Sequence, residues 1–243
     1  MTENLLNIAE IIKNSKHLIA FTGAGISAES NIPTFRGENG IWDKYDPMIL
    51  DIDYFNNNPS VCWPVIKDMF FSVIDKAEPN KAHYFLSQLE QKGILKSIIT
   101  QNIDNLHQKA GSKNVIEFHG NTRDLICTKC NKVYSVNDVD LKNDIPKCEC
   151  GKVLKPDFVF FGEGIPTKAY EKSISEIGKC DVMLVIGTTG EIMPASLLPY
   201  EAKNNGAKII EINTEDSNYT KKITDIFINE KAGKVSEELT KYI

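Results

Sequence analysis

The strongest constraint on the fold is a rhythm of short apolar runs that each stop abruptly in small or polar residues. Residues 17–22 lead into Gly23, 97–100 into Gln101 and Asn102, 182–186 into Gly187-Thr188-Thr189-Gly190, and 208–212 into Asn213. Helical patterns over 3–14, 82–91, 168–177 and 195–204 lie between these runs, the apolar run at 158–161 reads as a further strand running into the Gly162-Glu163 turn, and a strand at 224–228 with a helix at 235–242 closes the series. Buried strands alternating with helices predict an α/β fold, a Rossmann-like doubly wound parallel sheet. In such sheets ligands bind beyond the carboxyl ends of the strands, where this chain places its Gly, Thr and Asn.

Two stretches break the rhythm. Residues 41–76 are aromatic-rich and irregular, and Asn58-Pro59 suggests a helix start with Pro in its first turn. Four of the six cysteines fall together at Cys127, Cys130, Cys148 and Cys150. Two close thiolate pairs give a closed tetrahedral shell and hence structural zinc, with a redox pair as the alternative. The isolated Cys62 and Cys180 read as small buried hydrophobes. These breaks divide the chain into a large part (1–36, 78–119 and 157–243) and a smaller lobe made of a helical insert (37–77) and the zinc module (120–156).

Composition excludes several classes. No apolar run approaches bilayer length, and the polar Thr2-Glu3-Asn4 start is unlike a basic leader, so a cytoplasmic protein without a membrane partner is expected. A net charge of -5 argues against direct nucleic-acid binding through a basic field.

Candidate chemistry concentrates at two strand ends. The run at 97–100 opens into Gln101, Asn102, Ile103 and Asp104, and the run at 115–118 ends in His119. An amide pair, a carboxylate and an imidazole at one crevice can orient a polar ligand and move a proton; a capped strand beside a half-buried His is the plainer alternative. After the first strand, Gly23-Ala24-Gly25-Ile26-Ser27-Ala28 fits a G-x-G-x-x-A turn that brings backbone to a pyrophosphate. The acidic residue that a dehydrogenase places about 20 residues on, at the end of its second strand, is missing. A loop containing Phe35 and Arg36 follows instead, suited to covering a flat ring and holding a phosphate, or else a surface loop with one tucked aromatic.

Taken in order, the motifs Gly23-Ala24-Gly25-Ile26-Ser27-Ala28-Glu29-Ser30, Ile32-Pro33-Thr34-Phe35-Arg36-Gly37, Thr100-Gln101-Asn102-Ile103-Asp104, His119-Gly120, Pro156-Asp157 with Phe161-Gly162-Glu163, and Gly187-Thr188 resemble the sirtuins. The resemblance covers essentially the whole chain. It implies an NAD-dependent protein-lysine deacylase, with acyl-lysine proteins as substrates and one structural zinc ion. Nicotinamide, 2'-O-acyl-ADP-ribose and free lysine are the implied products. The resemblance places Gly23, Ala24, Gly25, Ala28 and Arg36 at the NAD diphosphate and Phe35 over the nicotinamide. It puts Gln101 and Asn102 at the nicotinamide ribose, Ile103 and Asp104 at the carboxamide, and Gly187, Thr188, Thr189 and Asn213 at the adenosine. His119 becomes the general base, with Asn102 and Asp104 in the catalytic group. Val159, Phe161, Gly162 and Glu163, with the segment at 191–193, become the peptide clamp, a β-augmentation mode.

Departures from the family pattern sharpen the expectations. Cys148-Glu149-Cys150 is one residue short of the commoner knuckle, and Thr189-Gly190 replaces a Ser followed by a large apolar residue. Ile66 and Met69 stand in the region where succinyl- and malonyl-preferring sirtuins carry a Tyr and an Arg, so an apolar acyl pocket is expected. Protein ADP-ribosyl transfer and a non-catalytic NAD or ADP-ribose sensor are the competing functions.

Overall fold

A computed structural model describes residues 2–35, 40–141 and 145–243. The strands are β1 (Leu18–Thr22), β2 (Leu95–Thr100), β3 (Val115–Glu117), β4 (Gly120–Cys127), β5 (Val133–Ser135), β6 (Leu154–Phe158), β7 (Val182–Ile186), β8 (Lys208–Asn213) and β9 (Ile226–Asn229). Six of them form a parallel sheet in the order β3-β2-β1-β7-β8-β9. Counted within the sheet this is the doubly wound order 3-2-1-4-5-6, which reverses direction between β1 and β7. Both of those strands are buried at every position, as central parallel strands covered on two faces must be.

One face packs on the helices Thr2–Asn14, Lys81–Gln91 and Ala232–Thr240 through Ile8, Ile12, Phe85, Leu86, Leu89, Val235 and Leu239. The other is covered by Thr167–Ile177 and Leu198–Asn204, with Ile177, Leu198, Ala202 and Tyr219 in the core. The helix spacing in the sequence located these elements because each buries one apolar stripe.

A second, antiparallel sheet in the order β5-β4-β6 shares a core with the helical insert, where Phe55, Trp63, Ile66 and Phe70 meet Leu125, Leu154, Phe158 and Phe160. The Trp63 indole donates to the Leu154 carbonyl at 2.9 Å, so the insert is fastened to β6 by a buried hydrogen bond as well as by area.

Two local expectations change. The turn after β1 continues as a 3-10 helix, Ala24–Ser30, where a regular helix fits the sequence pattern. The apolar run at 158–161 suggests a strand, but β6 ends at Phe158 and belongs to the small sheet. Pro156 is accommodated because β6 is an edge strand. The aromatic run beyond it is apolar because it walls a cavity and a core, a burial signal that periodicity alone cannot separate from a strand.

Candidate active site

The carboxyl ends of β1 and β7 meet through their glycines. Gly23 N donates to Ile186 O at 3.0 Å and Gly25 N to Gly187 O at 2.8 Å. Gly187 has φ +63, and a Cβ there would stand 2.3 Å from Ile26 N, so no other residue lets the two turns close on each other. The Gly23 and Gly25 amides are therefore spent inside the protein, and these glycines shape the floor of the site through contact.

A cavity of about 480 Å³ opens over that floor. Of the sequence-nominated residues, Gly23, Ala24, Gly25, Phe35, Gln101, Asn102, Ile103, His119, Val159, Phe161, Gly162, Glu163, Gly187, Thr188, Thr189 and Asn213 line it. Asp104 lies beneath the lining and Ala28 is exposed outside it. Arg36 is outside the described residues. Trp42, Leu50, Phe70, Phe158 and Phe160 add an apolar wall that motif reading missed. Ile66 and Met69, expected at the acyl pocket, are buried in the small-lobe core, and the neighbouring Phe70 reaches the cavity instead.

His119 lies two residues past the end of β3 and is half-buried at the wall. Its Nδ1 lies 3.1 Å from Gln101 O. A carbonyl only accepts, so Nδ1 carries the proton and Nε2 keeps its lone pair. Burial pushes the imidazole pKa below its ordinary value, partly offset by that bond, so the ring is neutral at pH 7. Gly120, at φ +77, allows the turn after it; a Cβ there would lie 2.2 Å from Asp157 O.

Behind the lining sits a buried polar network. Asn102 Nδ2 donates to Gly23 O and to Ser27 Oγ, each at 3.1 Å. The Ser27 hydroxyl donates to Asp104 Oδ2 at 2.7 Å, while Asp104 Oδ1 accepts from Leu106 N at 2.9 Å. Burial raises the Asp104 pKa, opposed by these bonds. His83 Nδ1 accepts from Asn80 N at 3.3 Å, which turns its Nε2 proton toward Ser27 Oγ, 3.5 Å away. On the other side His107 Nε2 lies 3.0 Å from Thr22 Oγ1, Thr22 donates to Thr100 Oγ1 at 2.9 Å, and Asn102 N donates to the same Thr100 oxygen at 3.0 Å. Asn102 is thus held from two directions. Motif reading assigned no role to His83 or His107, although a His beside Ala82, Phe85 and Leu86 on a core-facing helix side was a signal for the first.

At the opposite end Gln101 Nε2 donates to Thr188 Oγ1 at 3.0 Å and Asn213 Nδ2 to Thr188 O at 3.1 Å, tying three strand ends together. Gly190 is packed against Tyr219, where a Cβ would come within 2.6 Å of the ring. That ring fills the space a large residue after Thr189 would need.

The four module cysteines converge, with all Sγ atoms within 4.8 Å of one another and the pairs Cys127–Cys150 and Cys130–Cys148 at 3.5 Å. A tetrahedral zinc with Zn–S of about 2.3 Å needs sulfurs about 3.8 Å apart, so the donor set fits. The short second knuckle closes through Gly151 N to Cys148 O at 2.8 Å, and Lys147 takes no place in the cluster. None of the four lines the cavity.

A doubly wound sheet with a dinucleotide-sized cleft at its switch point, a neutral histidine on the wall and a four-cysteine module defines the class of protein. The model of the Sir2 family matches residues 23–194. An NAD-dependent protein deacylase of Pyrococcus abyssi is 45% identical over 239 residues, covering 95% of this chain and 94% of that one. A Sir2 homologue variant solved with ADP-ribose superposes with TM-score 0.92 at 41% identity, over 97% of this chain and 95% of the other. A Sir2 structure with a p53 peptide and NAD+ gives 0.89 at 34%, over 97% and 96%. The chain belongs to the Sir2 family, the sirtuins. No helix of the described residues is long and apolar enough to cross a membrane.

Proposed function

We propose that this chain is an NAD-dependent protein-lysine deacylase acting on acyl-lysine proteins, with nicotinamide, 2'-O-acyl-ADP-ribose and free lysine as products. The observation that carries the reading is His119, whose Nδ1 is fixed by Gln101 O and whose Nε2 is left as an acceptor at the cavity wall. NAD supplies, when bound, an electrophilic ribose carbon from which nicotinamide departs.

The protein's own residues do the rest. Ala24 faces the diphosphate, with Gly23 and Gly25 shaping the turn that admits it; the family resemblance gives Arg36, outside the described residues, a diphosphate role as well. Gln101 and Asn102 orient the nicotinamide ribose, and Ile103 and Asp104 the carboxamide end, with Asp104 acting from beneath through its backbone and Ser27. Thr188, Thr189 and Asn213, with Gly187 at the turn, hold the adenosine end. Phe35, in contact with Trp42 at 5.4 Å between ring centroids, covers the ring and excludes water. Val159, Phe161, Gly162 and Glu163 form the peptide side. His119 Nε2 accepts a ribose hydroxyl proton, a task for an imidazole that is neutral at the working pH.

Replacement of His119 tests this. His119→Ala is expected to lower acyl-peptide turnover by about 10²–10⁴-fold, the ordinary worth of a general base, with ADP-ribose binding within a few-fold of the parent. Unchanged turnover contradicts the reading.

A further inference from the structure

Residues 158–163 supply six consecutive members of the cavity wall, yet beyond Phe158 they lie outside any named strand. Lys155, in β6 just before this segment, holds it from the inner side. Its side chain is only 4% exposed, and its ammonium donates to Pro156 O at 2.8 Å and to Phe158 O at 2.5 Å and pairs with Glu163 Oε2 at 3.0 Å. Those three partners use the three N–H bonds of an ammonium. The same Glu163 oxygen accepts from Phe160 N at 2.8 Å, and Lys155 Nζ stands 4.3 Å from the Phe160 ring centroid. The chain from 155 to 163 is wrapped around one buried cation.

Stability alone does not account for it. Lys155 lies between Leu154, Phe158 and Phe160, an environment in which an apolar side chain of similar volume serves stability as well as a buried ion pair does. What the ammonium adds is direction, since it fixes two carbonyls and a carboxylate on the inner side of the wall. Apart from the turn bond from Glu163 N to Phe160 O at 3.0 Å, the backbone ties of residues 159–163 run to other elements: Val159 N to His119 O at 2.9 Å, Phe161 N to Leu50 O at 2.8 Å, and Ile52 N to Phe161 O at 3.0 Å. Lys155 is thus the internal pin of a wall whose outer ties reach the small lobe and His119.

We propose that Lys155 is a positioning residue for the acyl-peptide side of the cavity, acting through Glu163 and the carbonyls of Pro156 and Phe158. Glu163 then serves substrate by shaping the wall, because the oxygen that binds Lys155 also holds Phe160 N. The proposal rests on the deacylase reading for the identity of the ligand.

The test separates the two ligand sides in the zinc-loaded protein. Binding of an acetyl-lysine peptide in the presence of ADP-ribose, and of ADP-ribose alone, is measured by calorimetry for the parent, Lys155→Met, Lys155→Arg and Glu163→Gln, alongside KM for each substrate. Lys155→Met is expected to weaken peptide binding and raise peptide KM at least tenfold, with the ADP-ribose Kd and NAD KM within about threefold. Lys155→Arg restores most of the loss, and Glu163→Gln moves the peptide values in the same direction by less. If Lys155→Met does not fold, Lys155→Gln, which keeps donors for the two carbonyls but not the charge, takes its place with the same expected direction. Equal weakening on both ligand sides, or unchanged peptide affinity, overturns the proposal. A parent protein that binds the peptide but turns nothing over contradicts the deacylase reading and leaves the Lys155 ratio measurable; a parent that binds no acyl peptide contradicts both.

Discussion

Acid should loosen this protein through the histidines behind its active site. The rings of His83 and His107 lie 4.9 Å apart at their centroids, and the two residues are 0% and 1% exposed. Burial holds the His83 pKa at about 4 and the His107 pKa well below its ordinary value. Folded-state values below the unfolded value of about 6.5 mean that the unfolded chain binds more protons between those limits. Stability is therefore fully present above about pH 7 and is lost as pH falls through 6.5 toward 4. At pH 5 the penalty from His83 alone is about 2 kcal/mol, a factor of about 30 in the folding equilibrium, and His107 acts in the same direction.

Protonating His83 at Nδ1 also removes the acceptor for Asn80 N, which loosens the capping contact that orients the ring toward Ser27. Urea unfolding followed by tryptophan fluorescence at pH 7.5 and pH 5.0 measures the loss of stability. His83→Gln keeps an acceptor and a donor without the titration, so its pH-linked loss should be smaller than the parent's by about 2 kcal/mol. Asp104, whose raised pKa works in the opposite sense, and the zinc thiolates are present in both proteins and drop out of the comparison. Identical pH-linked losses in parent and variant refute the reasoning.

Ser27→Ala leaves Asp104 Oδ2 and one Asn102 Nδ2 proton without buried partners, so it should cost about 2–4 kcal/mol in denaturant unfolding and lower turnover even though Ser27 is not on the cavity wall. Zinc removal by a chelator should expose the 120–156 region to proteolysis and abolish turnover indirectly, and an apo protein with normal activity contradicts that. Among the described residues no Lys or Arg lines the cavity, while Trp42, Leu50, Phe70, Phe158 and Phe160 do. A succinyl carboxylate placed there is desolvated without a partner, so acetyl-lysine peptide should be turned over at least about 100-fold faster than succinyl-lysine peptide; robust desuccinylation with poor deacetylation contradicts it.

The sheet was legible because buried parallel strands leave continuous apolar runs and their carboxyl ends leave Gly, Thr and Asn. The zinc shell was legible from spacing alone, even with the short second knuckle. Less legible were features in which one residue type serves two purposes. Gly23 and Gly25 read as glycines facing a phosphate, whereas their amides close on β7 and its turn. Glu163 reads as a substrate contact and does line the cavity, but the pairing of its carboxylate with Lys155 left no sign in the sequence. The aromatic run at 158–161 read as a strand because burial and periodicity share one signal. His83, His107 and Lys155 were assigned no role because each meets its partners across elements far apart in the chain, and pairings of that kind leave no local pattern.

The strand-end cluster around His119 is expected to couple NAD consumption to loss of an acyl group from lysine. Mass spectrometry of an acetyl-lysine peptide incubated with and without NAD, following peptide, nicotinamide and acetyl-ADP-ribose together, tests it most directly. Equal amounts of deacetylated peptide, nicotinamide and acetyl-ADP-ribose, dependent on NAD and lost in His119→Ala, are the expected result. Nicotinamide released without deacetylation, or a mass gain of ADP-ribose on protein in place of acyl loss, contradicts the account.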